Sequence, residues 1–246
     1  MRAMRLKGDV SGMGVWAKLR GFVTTRPRIR LMWPLAIKLD WGKQNILSIK
    51  GRFIGTLRVK GNNNHIHIPP STTFTGHIFV RGNNVNITIG EHCRLVADIV
   101  IKGSNQSISI GEGTTFASVY LLCLERSHIS IGRWCMFSRE IEVRTSDAHS
   151  LLNRKTGKRL NPAASVTIGD HVWVGVGAII NKGATIADDC VVGAKSFVNK
   201  PFAESGVVIA GTPAKIIRKG VTWHRGRKRK FSLDEMDIWR LPPDNS

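Results

Sequence analysis

The chain has 246 residues, and its 37 Lys and Arg against 17 Asp and Glu give a formal net charge of +20 at pH 7. A hydrophobic content of 42% indicates a globular chain rather than a disordered one. No run of about 18 apolar residues is present, so the sequence predicts no membrane-spanning helix. The four cysteines form no CxxC pair, which is typical of a reducing compartment.

Basic residues concentrate at the two ends. Residues 1–60 hold 14 basic and 2 acidic groups, residues 61–214 hold 14 and 11, and residues 215–246 hold 9 and 4. Basic ends suit an anionic partner, or serve solubility alone. We find no nucleic-acid-binding module, so we expect no nucleic-acid partner. Residues 1–46 form a basic N-terminal segment, which either covers one end of the fold or lies on an anionic membrane surface.

An internal repeat begins after this segment. The stretches "GNNNHIHI", "GNNVNITI" and "GSNQSISI" begin at 61, 82 and 103, which is 21 residues apart. Apolar residues recur within these units at steps of six, six and nine: Leu47, Phe53, Val59; Ile68, Phe74, Val80; Ile89, Leu95, Ile101; Ile110, Phe116, Leu122; Ile131, Phe137, Val143. Later the step is six throughout: Ile168, Val174, Ile180, Ile186, Val192, Val198. A period of six fits neither an amphipathic helix nor a simple strand.

This period predicts an all-β solenoid over residues 47–213. Three six-residue sides close one coil, and one aliphatic residue of each side points inward. The 21-residue coils add three residues at one corner, mostly Gly and Asn, which tolerate positive φ. We expect about seven coils between Leu47 and Val198. Residues 214–246 form a basic tail, in which Ser232 and Glu235 have the spacing of a capping box and predict a short helix.

Small residues fall four positions after the inward aliphatics. Cys93, Cys135 and Cys190 occupy such positions, so we interpret them as small core residues rather than redox or metal groups. The sequence does not assign Cys123. The histidines His65, His67, His128 and His171 lie on strands or corners of the repeat without a converging set of three, and we predict no metal site.

The repeat is interrupted at "RTSDAHS", residues 144–150. From Val143 to Ile168 the chain runs 25 residues, where the equivalent earlier step is nine. The excess contains "SLLNRKTGKRLNPAA", which has a Thr-Gly turn and a charged character. We therefore predict a loop insertion near residues 144–161.

The stretch "SDAHSLLNRKTGKRLNPAASVTIGDHVWVGVGAIINKGATIADDCVVGAKSFVNK", followed by "VVIAGTPAKIIRK", resembles the hexapeptide-repeat acyltransferases. It is most similar to their galactoside and maltose acetyltransferase-like branch, the sugar and polysaccharide O-acetyltransferases, over about residues 144–218. The resemblance implies a left-handed parallel β-helix, a homotrimer with active sites between subunits, and acetyl-CoA as co-substrate. It also implies a sugar acceptor, which we take to be a bacterial surface polysaccharide (capsule or lipopolysaccharide) or its precursor. We expect a cytoplasmic location, with a peripheral place at the inner face of the membrane left open.

The resemblance implies that His149 is the catalytic base. An alcohol is a poor nucleophile near pH 7, and a neutral imidazole is available at that pH to take its proton. Asp147 either orients the His149 ring and stabilises the imidazolium or is a turn residue, because it occupies the corner position that Asn84, Asn105 and Arg126 hold in earlier coils.

The resemblance also implies a set of residues that bind the co-substrate. Trp173 points outward and either lies beside the pantetheine or the acceptor sugar, or packs against a neighbouring subunit. Basic residues at the coil edge and tail suit the phosphates of CoA. The expected set is Trp173, Val176, Ala194, Lys195, Asn199, Lys200, Lys215 and Arg218.

Three alternatives stay open. The first is an N-acetyltransferase of an amino sugar. The second is a serine acetyltransferase-like enzyme, although the long N-terminal helical domain of that branch is absent. The third is a non-catalytic solenoid that binds an acidic polymer or a membrane through its basic ends.

Overall fold

Parallel β-strands dominate the computed structural model, which describes residues 35–40 and 42–241. The strands of the early coils are β1 Leu35–Asp40, β2 Ile46–Ile49, β3 Arg52–Lys60, β4 His65–Ile68, β5 Thr73–Arg81, β6 Asn86–Ile89, β7 Arg94–Lys102, β8 Ser107–Ile110, β9 Thr115–Leu124 and β10 His128–Ile131. The later strands are β11 Met136–Phe137, β12 Ile141–Arg144, β13 Val166–Ile168, β14 Trp173–Val174, β15 Ile179–Ile180, β16 Thr185–Ile186, β17 Val191–Val192, β18 Phe197–Val198, β19 Pro201–Phe202, β20 Val207–Gly211 and β21 Ala214–Lys219.

The strands form two sheets that wrap one core. One sheet has 13 strands and the other has 8, and the eight-stranded sheet takes one strand from each coil. The described residues therefore make about eight coils, with parallel pairing between successive coils and one antiparallel pair, β20 with β21, at the end. The all-β class and the parallel β-helix predicted from the sequence are confirmed.

Each coil has three faces. The long strands β3, β5, β7 and β9 cover two of them, because β9 pairs with both β11 and β12 of the next coil. In the later coils the first face is β11, β14, β17 and β20, the second face is β12, β15 and β18, and the third face is β10, β13, β16 and β19. We call the edges between them the first–second, second–third and third–first corners.

Corner chemistry explains the local sequence. At the second–third corner of the early coils Asn63, Asn84 and Asn105 all have positive φ, and their side-chain amides bond from coil to coil. At the first–second corner Gly55 has φ of 139°, and a Cβ there would lie 1.9 Å from the carbonyl oxygen of Gly76. Only glycine fits such an approach of two backbones.

The core is a continuous column of inward side chains. Aliphatic residues of each face stack on those of the next coil, as Ile99, Leu121 and Val143 do on the second face. The small residues predicted near the corners, Val172, Ala178, Ala184, Cys190 and Ser196, are all buried. Cys93 and Cys135 are fully buried too, as expected of small core residues. The six-residue interpretation of the core is therefore confirmed at these positions.

The predicted inward position of Leu122 is wrong by one residue. The register shifts between Leu95 and Ala97, where β9 has an irregularity, so Leu121 pairs with Ile99 and Cys123 pairs with Ile101. Leu121 and Cys123 are fully buried, whereas Leu122 alternates to the opposite side of the strand. Cys123, which the sequence did not assign, is thus an inward core residue.

The parallel ladder reaches further back than Leu47, because β1 pairs with β3 over six residues. The sequence-based N-terminal segment, residues 1–46, otherwise lies mostly outside the described residues. Its division from the β-helix stays a prediction, as do the boundaries 47–213 and 214–246. None of the helices in the described part of the chain has the length and apolar character needed to cross a bilayer.

The described tail ends in a short helix, as predicted. Helix α1 covers Leu233–Asp237, and a 3-10 turn follows at Ile238–Arg240. Ser232 caps α1 by accepting from the Glu235 backbone N–H at 3.2 Å, and the Glu235 carboxylate accepts from the Ser232 N–H at 3.0 Å. Both bonds of the capping box are present.

Candidate active site

A loop leaves the coil between the second and third faces. Strand β12 ends at Arg144 and β13 begins at Val166, so residues 145–165 lie outside the strand ladder. Leu152 and Arg159 form an antiparallel bridge, and the Leu160 N–H donates to the Leu151 carbonyl at 2.7 Å. The insertion is therefore a hairpin that projects from the second–third corner.

An ion pair fixes this hairpin to the preceding coil. Arg159 donates to the Glu125 carboxylate, with one N–O distance of 3.0 Å, and the Ser146 hydroxyl donates to the same carboxylate at 2.6 Å. The Arg159 guanidinium and the Ser146 hydroxyl lower the pKa of Glu125 to about 2. The hairpin is thus tied to the coil at both its start and its end.

His149 lies at the base of the hairpin with its side chain exposed. The preceding Ala148 has φ of +64°, and its N–H donates to the Ser146 hydroxyl oxygen at 3.1 Å, which forms a tight turn. The Asn161 amide donates to the His149 carbonyl at 2.9 Å. These bonds hold the His149 backbone and leave its imidazole open to a substrate.

Asp147 is held by two donors from other parts of the chain. Its Oδ2 accepts from Lys182 Nζ at 2.6 Å and from Asn161 Nδ2 at 2.7 Å. The bond from Lys182 lowers the pKa of the Asp147 carboxyl. The contacts found for Asp147 brace the turn that carries His149, while its role in orienting the imidazole stays a prediction.

Three of the predicted co-substrate residues lie at the first–second corner. The Lys195 N–H donates to the Val176 carbonyl at 2.9 Å, which stacks these two corner residues on successive coils, and Ala194 is exposed beside them. Lys195 Nζ lies 3.5 Å from Glu140. The Thr212 hydroxyl donates to the Lys195 carbonyl at 3.3 Å, so the end of β20 and Lys215 on β21 continue this corner.

Asn199 and Lys200 lie at the other edge of the second face, on the same corner as the hairpin. They follow β18, one coil after Asn181 and Lys182, and both are exposed. The second face is therefore bordered on one side by Val176, Ala194 and Lys195 and on the other by His149, Asn199 and Lys200.

Trp173 and Arg218 lie on the first face. Trp173 begins β14 with 39% of its surface exposed, and its register partners in the adjacent coils are Met136 and Val191. Val191 pairs with Val208, which in turn lies opposite Arg218 on β21. Within one chain the coil cross-section separates Trp173 from His149, and the two are not brought together.

Sequence reasoning missed the residues that position the loop. Lys182 and Asn161 bind Asp147, and Glu125 binds Arg159, but nothing in the local pattern distinguishes them from solvated corner residues. The spacing of 18 residues between Lys182 and Lys200 is one coil, so the sequence could have placed both lysines at the same corner. It also missed Trp223, whose ring centroid lies 6.1 Å from that of Trp173.

The arrangement combines a group suited to acid–base chemistry with cations suited to an anionic ligand. An exposed imidazole can take a proton from a hydroxyl group. Lys195, Lys200, Lys215 and Arg218 are all exposed cations, and their role in binding the co-substrate stays a prediction. Among residues 42–241 no group of three or more His, Cys, Asp or Glu is placed to hold a metal ion.

Comparison with known proteins finds a family model that matches part of the chain. Residues 165–200 match the family model described as bacterial transferase hexapeptide (six repeats). The resemblance to hexapeptide-repeat acyltransferases that the sequence indicated is confirmed by this match and by the relatives that follow.

Two curated relatives are polysialic acid O-acetyltransferases. The one from Escherichia coli O1:K1 / APEC is 33% identical over 104 residues, which is 42% of this chain and 34% of the relative. The one from Neisseria meningitidis is 34% identical over 108 residues, 44% of this chain and 49% of the relative. The chain thus spans half or less of the length of these relatives.

The fold likeness extends over most of the chain. The crystal structure of the polySia-specific acetyltransferase NeuO superposes with a TM-score of 0.74 and 28% identity, covering 80% of this chain and 85% of that one. The likeness in structure therefore covers more of the chain than the 42% that aligns by sequence with the relative from Escherichia coli.

Proposed function

We propose that the chain is an acetyl-CoA-dependent O-acetyltransferase that modifies a sugar hydroxyl of a bacterial surface polysaccharide or its precursor. The observation that carries this proposal is the braced turn at residues 146–149, which presents an exposed His149 at the corner shared with Lys200. The likeness to polysialic acid O-acetyltransferases supports both the reaction and the class of acceptor.

His149 acts as the general base. Its neutral imidazole accepts the proton of the acceptor hydroxyl as that oxygen attacks the acetyl carbonyl, and the C–S bond to the carrier then breaks. The imidazolium returns the proton to the departing sulfur, so the ring ends neutral. Acetyl-CoA supplies the activated thioester, and the exposed cations Lys195, Lys200 and Lys215 bind its phosphates.

The separation of His149 from Trp173 supports an active site between copies of the chain. A homotrimer would place the second–third corner of one copy beside the first face of the next, and thereby combine the two sets of residues. Sedimentation of the purified protein tests this arrangement, because a monomer at assay concentration that still turns over would contradict it.

A cytoplasmic location follows from the need for acetyl-CoA, a cytosolic metabolite. More specifically, we propose that the protein attaches peripherally to the inner face of the membrane. Such a location suits an acceptor that is made on a lipid carrier. Fractionation of cells in low and high salt tests it, since a surface attachment through basic residues weakens with salt.

The catalytic proposal is tested by thiol release from acetyl-CoA with a panel of capsular and lipopolysaccharide preparations. We expect His149→Ala to lower the rate by about 10²–10⁴-fold. His128→Ala is the matched control, because His128 is also exposed and its ring bonds Ser107 on its own face. Equal rates for His149→Ala and wild type would overturn the assignment of the base.

The product decides between the competing reactions. Mild alkali removes an acetyl ester and leaves an acetamide, so an alkali-stable product on an amino sugar would identify an N-acetyltransferase instead. Activity on free serine would identify the serine acetyltransferase-like alternative. Binding of an acidic polymer without thiol release by any acceptor would favour a non-catalytic solenoid.

A further inference from the structure

The C-terminal strap, residues 221–240, crosses the third–first corner and is fixed there. The Thr222 hydroxyl donates to Asp189 Oδ1 at 2.8 Å. Arg225 donates to the Thr115 hydroxyl at 2.8 Å and to the Cys135 carbonyl at 3.0 Å, which joins the strap to two further coils. Burial lowers the pKa of the Arg225 guanidinium, in keeping with its place against backbone carbonyls.

His171 lies at the centre of this attachment. The Trp223 ring stacks on the imidazole at 4.3 Å and the Trp239 ring at 4.8 Å, each within 9° of parallel. Two parallel rings this close to a third must lie on its opposite faces, so the imidazole is sandwiched between the indoles. His171 Nδ1 also lies 2.9 Å from Asp189 Oδ1, and the Trp223 N–H donates to the His171 carbonyl at 2.7 Å.

Trp223 has a second contact that the anchoring of the strap does not require. Its ring lies 6.1 Å from that of Trp173 and is tilted by 45° to it. Trp239 stacks on His171 in the same way but is not paired with Trp173 in the described structure. Trp223 is therefore the strap residue that bounds the exposed indole of Trp173.

The two register partners of Trp173 in the adjacent coils restrict its side chain only weakly. Its register partners are Met136, which is flexible, and Val191, which is small. With 39% of its surface exposed, the Trp173 indole is packed on only part of its surface. The tilted Trp223 ring is therefore placed to restrict the Trp173 indole before any ligand binds.

We propose that Trp223 is a positioning residue, which holds the Trp173 indole in the orientation that binds acetyl-CoA. This inference rests on the proposed function, because it takes Trp173 as part of the acetyl-CoA site. The strap then forms one wall of that site. Trp223, which supplies the contact, lies 50 residues after Trp173 in the chain.

The test measures acetyl-CoA affinity by calorimetry on the full chain, together with KM and kcat for transfer. The variants are Trp173→Ala, Trp223→Ala, Trp223→Phe and the double variant Trp173→Ala/Trp223→Ala. Phe231→Ala is the matched control, because it removes a strap ring that packs on His224 and Lys228, both in the strap itself. Thermal unfolding confirms that each variant is folded.

We expect Trp223→Ala to weaken acetyl-CoA binding by about fivefold and to raise KM equally, with kcat within about twofold of wild type. Trp223→Phe should recover most of the loss, because a phenyl ring still bounds the indole. The double variant should bind no more weakly than Trp173→Ala alone, since residues that act through each other are not additive. Phe231→Ala should bind as wild type does.

Three results in the strap variants and the double variant would overturn the inference. These are unchanged binding in Trp223→Ala, additive losses in the double variant, or the same loss in Phe231→Ala, which would indicate general loosening of the strap. Unchanged binding in Trp173→Ala would remove its premise and overturn it as well. Failure of the proposed function looks different, because wild type would then bind no acetyl-CoA or release no thiol with any acceptor.

Discussion

Lys182 Nζ lies 2.6 Å from Asp147 Oδ2, and this contact joins the corner of one coil to the loop of the coil before it. The lysine is 17% exposed and the carboxylate 37%, so the pair is partly shielded from solvent. Through Asn161, which bonds both Asp147 and the His149 carbonyl, the pair fixes the backbone of the proposed base.

Replacing Lys182 therefore should affect the reaction more than the fold. A hydrogen bond to a charged group contributes about 1.5–3 kcal/mol, and about 1.4 kcal/mol corresponds to tenfold in rate. We expect Lys182→Met to lower kcat by about tenfold while the melting temperature stays within a few degrees. Lys102→Met, which changes an exposed lysine on β7, is the control. Wild-type kcat in Lys182→Met would show that the turn holds without this ion pair.

The attachment of the loop to the coil should weaken at low pH, over a defined pH range. Arg159 holds the pKa of Glu125 at about 2, below its ordinary value of 4.5. A depressed carboxyl pKa stabilises the folded arrangement fully above the ordinary value, and the contribution is lost as pH falls through the folded value. Hydrogen exchange of the loop amides, corrected for intrinsic rates, should be constant from pH 5 to 8 and should rise between about pH 4.5 and 2.

The variant Arg159→Gln gives the matching test of this anchorage. Without the guanidinium, the loop amides should exchange faster already at neutral pH, and limited proteolysis should cut residues 151–160 sooner. An acid response identical in Arg159→Gln and wild type would mean that another group controls the loop.

The small core positions should reject larger side chains. Ala178 is fully buried near a corner, and adding methylene groups to a packed core costs about 1–3 kcal/mol. We expect Ala178→Leu to lower the melting temperature by several degrees. Ala203→Leu makes the same change at an exposed position and should leave the melting temperature nearly unchanged.

The four thiols should be unreactive in the native chain. All are buried, and burial raises the pKa of Cys93 to about 11 and that of Cys135 to about 12. Since the thiolate is the reactive form, an aromatic disulfide reagent at pH 8 should label none of them until denaturant is added. Rapid labelling of one thiol in native protein would contradict its placement in the core. The same property keeps the thiol-release assay free of protein background.

Much of the fold was predictable because each side of the coil is specified by residues that are neighbours in the sequence. A six-residue period with one inward aliphatic and one small residue specifies a side and a corner, and this placed Val174, Ala178 and Cys190 correctly. The prediction failed at Leu122, where an irregularity in β9 moved the inward position to Leu121 and Cys123. A bulge adds a residue without changing the composition around it, so the period alone does not reveal it.

The site was predictable only in part. The lapse in the repeat located the loop that carries His149, because an insertion interrupts the period at a definite residue. The partners of that loop were not predictable, since Asp147 meets Lys182 across 35 residues and Arg159 meets Glu125 across 34. Many other charged corner residues have the same local sequence surroundings.

The sequence by itself determined the coil, its period, the interruption after Val143 and the basic ends, because each depends on residues near each other in the chain. Only the tertiary structure decided that His149 lies at the second–third corner and Trp173 on the first face. It also decided that a C-terminal strap stacks Trp223 on His171, 52 residues away in sequence. The physical reason is that stacked coils bring together residues one or more whole turns apart, and the choice among the possible partners depends on the packing of the entire β-helix.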